Sequence, residues 1–167
     1  MSTAANKDRF IEIISQNKKL IFKVCNSYCR NTDDRQDLVQ EVIIRLWQSF
    51  GKYDERYKLS TWMYRIALNT AISHYRSGKR KNASTISIHE SLIDIADENP
   101  ETELDDNVKQ LYAFINQLDE LNRALMILYL DDNSYREIAE VLGITETNVA
   151  TRISRVKQQL KQQFAKI

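Results

Sequence analysis

Proline occurs once in the 167 residues, at Pro100, and glycine three times. So few breakers leave room for long uninterrupted helices and little for the turn-rich meanders of all-β folds. Cysteine is limited to Cys25 and Cys29, too few for a disulfide scaffold. Their four-residue spacing fits two half-buried, reduced thiols on one helical face, with a redox pair or metal site as the alternative. No second Cys or His pair lies near enough to complete a metal site. The two histidines, His74 and His89, are isolated, and carboxylates concentrate in one segment or in the first turns of helices. No catalytic cluster, cofactor or metal is therefore expected, and the chain is not expected to be an enzyme. No apolar run approaches the ~20 residues that span a bilayer, so no direct membrane insertion is expected. The start, "MSTAANKDRF", lacks a basic-then-apolar leader, so a cytoplasmic protein is expected.

What is present is charge in blocks. The net charge is only +1, but from Trp62 to Asn82 stand Arg65, Arg76, Lys79, Arg80 and Lys81 with no acid. From Ala150 onward stand Arg152, Arg155, Lys157, Lys161 and Lys166, again with no acid. Between these blocks, Ala83 to Asn107 carries acids from Glu90 to Asp106 and no Lys or Arg. Two basic regions separated by an acidic one point to a segregated electrostatic function.

Apolar residues recur at helical spacing along most of the chain, and no strand-like alternation is found. Phe10, Ile13, Asn17, Ile21, Val24 and Tyr28 suggest one first helix. Thr32 is the expected cap of a second, carrying Val39, Val42, Ile43, Leu46, Trp47 and Phe50 and stopped by Gly51. Ser60 is the expected cap of a third, ending at Gly78. The Ser-, Thr-, Asp- and Glu-rich stretch 83–103 then reads as a flexible acidic linker. The expected fold is all-α: two small helical domains, 1–82 and 104–167, joined by that linker.

The second domain contains "SYREIAEVLGITETNVATRISRVKQQL". Ser134 and Glu137 form a capping-box pattern, Gly143 can supply a left-handed turn, and Thr145 can cap the next helix. Val149, Ile153, Val156 and Leu160 make its apolar stripe, leaving Thr147, Thr151, Ser154 and Gln158 opposite, flanked by Asn148, Arg155, Ala150 and Lys157. This is the layout of a helix-turn-helix whose outward groups suit base edges: Asn and Gln can pair with adenine, Arg with guanine. An ordinary helical hairpin with a solvated face would look similar, but that face carries no acid beyond Glu146.

The segment "DLVQEVIIRLWQSFGKYDERYKLSTWMYRIALNTAISHYRSGKRK", Asp37 to Lys81, closely resembles a block of the bacterial RNA polymerase sigma factors. With the helix-turn-helix after a short linker, the resemblance is to the small two-domain extracytoplasmic-function (ECF) group, and it spans nearly the whole chain. It implies a region 2 over 1–82 and a region 4 over 104–167. Asp37, Leu38, Gln40 and Glu41 would dock on the clamp of the polymerase largest subunit, as an exposed acidic and amide row. Tyr53, Tyr57, Lys58, Arg65, Asn69, Arg76 and Lys79 would hold the −10 element as single-stranded DNA, aromatics stacking on bases and cations meeting phosphates. Trp62 and Tyr64 stand at helical spacing, and at least one of them is expected in the core. Asn148, Ala150, Thr151, Ser154 and Arg155 would face bases of the −35 element, with Arg152 and Lys157 toward phosphates. Many relatives carry Lys or Arg where this chain has Ala150, and often a proline within the segment occupied here by "QLDEL".

The resemblance also implies the polymerase flap, promoter DNA and an anti-sigma factor as partners. About 20 linker residues average ~25 Å as a coil and reach ~70 Å extended, enough with the domain widths to span both elements. The rival is a stand-alone helix-turn-helix regulator that binds duplex DNA without polymerase.

Overall fold

The computed structural model describes residues 3–29, 31–77 and 106–165. The linker expected over 83–103, Lys79 and the helix end at Gly78 lie outside them. The chain divides into two compact units between Thr102 and Glu103. Among the described residues every regular element is helical.

The first unit contains α1 (Thr3–Gln16), α2 (Lys18–Tyr28), α3 (Thr32–Ser49), a 3₁₀ turn (Phe50–Lys52) and α4 (Leu59–Ser77). The single helix expected from Phe10 to Tyr28 is thus two. Asn17 leaves helical geometry at φ −118°, ψ 16°. Its amide donates to the carbonyls of Ile13 and Ile14, and its side-chain Nδ2 donates to Ile13 O at 2.8 Å. A short amide side chain that bonds its own backbone competes with the helix ladder, and here it ends one helix as the next begins. The change of direction lets Phe10 and Ile14 of α1 and Ile21, Val24 and Cys25 of α2 all reach the interior.

Asn31, not Thr32, caps α3: its side chain accepts from the Asp33 amide at 2.8 Å. Asp33 and Asp34 then occupy the first turn, where the helix dipole favours acids. At its far end α3 tightens into the 3₁₀ turn, with Gly51 inside it and no left-handed residue. Helix α4 begins at Leu59, with the Lys58 carbonyl accepting from Trp62 N, so Ser60 lies within the first turn instead of capping it. Packing sets this start: Thr61 is buried, and Met63, Tyr64, Ala67 and Leu68 follow it into the core. At ~1.5–3 kcal/mol for each fully buried large apolar side chain, these outweigh a single missing cap of ~1 kcal/mol.

The second unit contains α5 (Asp106–Ile115), α6 (Glu120–Leu130), α7 (Tyr135–Leu142) and α8 (Glu146–Ala165). Asp119 caps α6, accepting from Asn122 N. Arg123, itself buried, donates to the carbonyls of Asn116 and Leu118 and closes the α5–α6 turn without a proline. Ile115, Leu125, Ile127, Leu128, Ile138, Val149, Ile153 and Val156 form the core.

Candidate nucleic-acid interface

In the first unit, α4 turns one face outward. Trp62, Arg65, Asn69, Ser73 and Arg76 recur at three- and four-residue steps along it, with no carboxylate among them. Arg65, Asn69, Ser73 and Arg76 are exposed and Trp62 is half-buried, while Tyr64 is entirely buried. One aromatic of that pair is therefore core, and the other belongs to the surface.

The loop before α4 is built around this face. The Tyr53 ring lies 4.9 Å from Trp62, and its hydroxyl donates to the Tyr57 carbonyl at 2.8 Å. Partial burial, with Glu55 nearby, raises the Tyr53 pKa, so the phenol stays neutral. Tyr57 itself is 48% exposed, free to meet a planar ligand. Arg56 holds the Asp54 carboxylate through side-chain and backbone hydrogen bonds, which lower its pKa. Arg9 of α1 reaches Glu55 at 3.2 Å and lies over the Phe50 ring, tying the loop to α1. Phe50 in turn joins Phe10, Trp47 and Trp62 in one aromatic cluster. Lys58, next to Tyr57 in the chain, is exposed.

The row expected to be exposed on α3 is not uniform. Leu38 has no exposed surface and is a core residue, because its position on α3 faces the packed interior. Asp37, Gln40 and Glu41 are half-buried. Glu41 is also engaged within the unit. One carboxylate oxygen accepts from Arg45 Nη2 at 3.2 Å, and the other lies 3.8 Å from His74 Nδ1 on α4. His74, isolated in the sequence, thus meets an acid of α3. Only tertiary packing brings them together.

The second unit realises the expected turn. Ser134 Oγ accepts from Glu137 N and the Glu137 carboxylate accepts from Ser134 N, both at 3.1 Å, completing the capping box. Gly143 adopts φ 70°, ψ 34°, and its amide and that of Ile144 both bond to Ala139 O. Thr145 Oγ1 accepts from Asn148 N at 3.0 Å and caps α8. Val149, Ile153 and Val156 are buried, so Thr147, Thr151, Ser154, Arg155 and Gln158 are turned outward and exposed. Ala150 is half-buried.

Two cations of α8 have partners within the unit. The Arg152 guanidinium is turned along and across the helix, its Nε donating to Asn148 Oδ1 at 3.0 Å and its Nη1 to Asn122 Oδ1 of α6 at 3.1 Å. Lys157 Nζ sits 4.6 Å above the Tyr129 ring and hydrogen-bonds Tyr129, which raises its pKa. The i, i+4 spacing of Asn148 and Arg152 was the available sequence signal for the first. Nothing local announced the second, since Tyr129 lies two helices away.

The thiols have a plainer character. Cys25 and Cys29 are both free and buried. Desolvation pushes Cys25 well above the usual thiol range and Cys29 to about 11, so neither is a ready thiolate. Among the described residues no three His, Cys, Asp or Glu side chains are placed to hold a metal ion. No helix among them is long and apolar enough to cross a membrane.

Residues 13–81 match the family model for Sigma-70 region 2, and residues 109–160 match that for Sigma-70, region 4. The chain is 28% identical over 171 residues to the ECF RNA polymerase sigma factor SigW of Bacillus subtilis (strain 168), covering 95% of this chain and 90% of SigW. To SigM of the same organism, also an ECF sigma factor, it is 25% identical over 143 residues, covering 84% of this chain and 86% of SigM. Its fold resembles that of RpoE from Bartonella quintana, solved in complex with the anti-sigma factor NepR. The TM-score is 0.69 at 20% identity, over 92% of this chain and 95% of RpoE. It also resembles CnrH, solved in complex with the cytosolic domain of CnrY, with a TM-score of 0.68 at 19% identity over 97% and 91% of the two chains.

Proposed function

The chain belongs to the sigma-70 family, in its extracytoplasmic-function group of RNA polymerase sigma factors, and from that membership we propose how its two units divide promoter recognition. A sigma factor directs the polymerase to promoters and initiates transcription. The stand-alone regulator finds no support in a match that includes region 2.

In our reading the domains are 1–82 and 104–167 with 83–103 as linker. Tyr53, Tyr57, Lys58, Arg65, Asn69, Arg76 and Lys79 hold the −10 element. The outward face of α4 supports this, because an acid-free row of cations beside an exposed tyrosine can grip a strand's phosphates while its bases stack. Asn148, Ala150, Thr151, Ser154 and Arg155 read the −35 element from α8, with Lys157 lying alongside. Arg152 orders the helix from within. Asp37, Gln40 and Glu41 meet core polymerase, and Leu38 holds α3 in place beneath them. The observation that carries this reading is the order of the matched regions, one on each compact unit.

The protein performs no bond chemistry of its own and works in the cytoplasm as a dissociable subunit. With near-zero net charge and about five phosphate contacts per unit, free protein binds DNA weakly, and polymerase must present the two units at the right separation. The solved relatives were each captured with a protein partner, and we extend an anti-sigma factor to this chain. The test is association with bacterial core polymerase, comparing the intact chain with a Gln40→Ala/Glu41→Ala variant. Tight binding that the double change weakens at least tenfold supports the docking surface. No association, with tight duplex binding by the protein alone, overturns it.

A further inference from the structure

Asn148 stands in the first turn of α8, where recognition helices approach base edges. A free asparagine there can turn its amide either way and pair with adenine through both groups, the oxygen accepting from N6 and the nitrogen donating to N7. In this chain it is not free. Arg152 Nε donates to Asn148 Oδ1 at 3.0 Å, and Arg152 is itself anchored across to α6 by Asn122 Oδ1 at 3.1 Å. A guanidinium has only donors, so the atom it meets must be the amide oxygen. The flip is closed off, and Asn148 Nδ2 is left with both hydrogens and no partner among the described residues.

We propose that Asn148, its amide oxygen engaged by Arg152, meets DNA through its amide hydrogens and so favours guanine at one base pair of the −35 element. Guanine offers two adjacent major-groove acceptors, N7 and O6. Thymine offers the single acceptor O4, adenine sets its own N6 donor against the asparagine donor, and cytosine presents only a donor. Arg152 is then a positioning residue, fixing which half of the amide the DNA meets. This rests on the reading of α8 as the −35 helix.

The test is in vitro transcription by holoenzyme reconstituted with bacterial core polymerase, from a promoter library randomised at both elements. Wild type is expected to enrich guanine about tenfold over adenine at one −35 position. Asn148→Ala should relax that position alone. Asn148→Asp keeps an acceptor for Arg152 and suits a helix first turn, so the fold is retained. It replaces the donor with an acceptor, and the preferred base should move to cytosine. Arg152→Ala frees the amide, so adenine should join guanine. Adenine dominating in wild type at the position that Asn148→Ala relaxes overturns the proposal, as does an unchanged −35 preference in both Asn148 variants. A wild-type holoenzyme that selects a −10 motif and no −35 motif overturns the underlying reading of α8, and the proposal with it.

Discussion

The two units begin and end their helices by different means. In the second, each of α6, α7 and α8 starts on a side-chain cap, Asp119, Ser134 and Thr145, and α7 stops on the left-handed Gly143. In the first, α4 starts with no such cap, α3 fades into a 3₁₀ turn, and α1 hands over to α2 at Asn17. There packing weighs more: Phe10, Trp47, Phe50 and Trp62 cluster where α1, α3 and α4 meet. Side-chain caps start three helices of the second unit, whereas in the first Asn31 caps α3 alone and apolar packing sets the start of α4. Each should fail under a different kind of substitution.

The sharpest separation is expected from Leu38→Ala. A cavity at this fully buried site should cost the first unit about 2–5 kcal/mol. Both tryptophans of the chain, Trp47 and Trp62, lie in that unit, so tryptophan fluorescence during guanidinium unfolding isolates the effect. A midpoint that barely moves would mean Leu38 is surface.

Alkaline pH should come next and act first on the same unit. Cys25 and Cys29, the chain's only cysteines, have folded pKa values raised above the ordinary 9.0, Cys29 to about 11. A raised folded pKa leaves stability intact below the unfolded value. Stability should therefore hold to about pH 9 and fall from there toward 11. Lys157 of the second unit, raised from 10.5, keeps its contribution until the pH passes that value. Fluorescence midpoints between pH 7 and 11 would show the order. A first unit indifferent to pH would contradict the burial of the thiols.

Gly143→Ala forces an L-residue into the left-handed region and should cost about 1–2 kcal/mol. Gly143→Asn should cost less, since asparagine tolerates that conformation. Circular dichroism melts of the two variants would rank them, and equal costs would count against the conformational account.

Two serines make a direct contrast of cap with no cap. Ser134→Ala should cost about 1 kcal/mol by opening the capping box. Ser60→Ala should fall within about 0.5 kcal/mol. If Ser60 proved the costlier, α4 would be capped after all. A similarly small effect is expected from Arg9→Ala, since its exposed pair with Glu55 is worth about 0–1 kcal/mol and less in high salt.

The same difference explains how much could be read from the letters. The helix-turn-helix was legible residue by residue, because a capping box, a glycine turn and a threonine cap are rules about neighbours. The all-helical class was legible too, from apolar periodicity. The cap at Asn31, the break at Asn17 and the start at Leu59 were not. At Asn31 and Asn17 neighbouring residues satisfy the same local rule, and at Leu59 the burial of Thr61 and the residues after it overrides that rule. The candidate interfaces divide in the same way. Outward positions on α4 and α8 follow from helical phase, as Arg65, Asn69, Thr151 and Ser154 illustrate. The inward turn of Arg152, the seat of Lys157 on Tyr129 and the meeting of Glu41 with His74 depend on side chains from other helices.

Gly143 carries one more consequence. A β-carbon built on it would meet nothing within 4 Å, yet its φ is 70°. The site therefore discriminates by mirror symmetry and not by volume. A β-carbon would find the room, but most L residues would resist the dihedral, asparagine the least. No neighbour can be trimmed to accommodate a replacement, because no neighbour is in the way. The angle between α7 and α8 is thus guarded by the chirality of the chain itself, and repacking the core around it offers no route to relief.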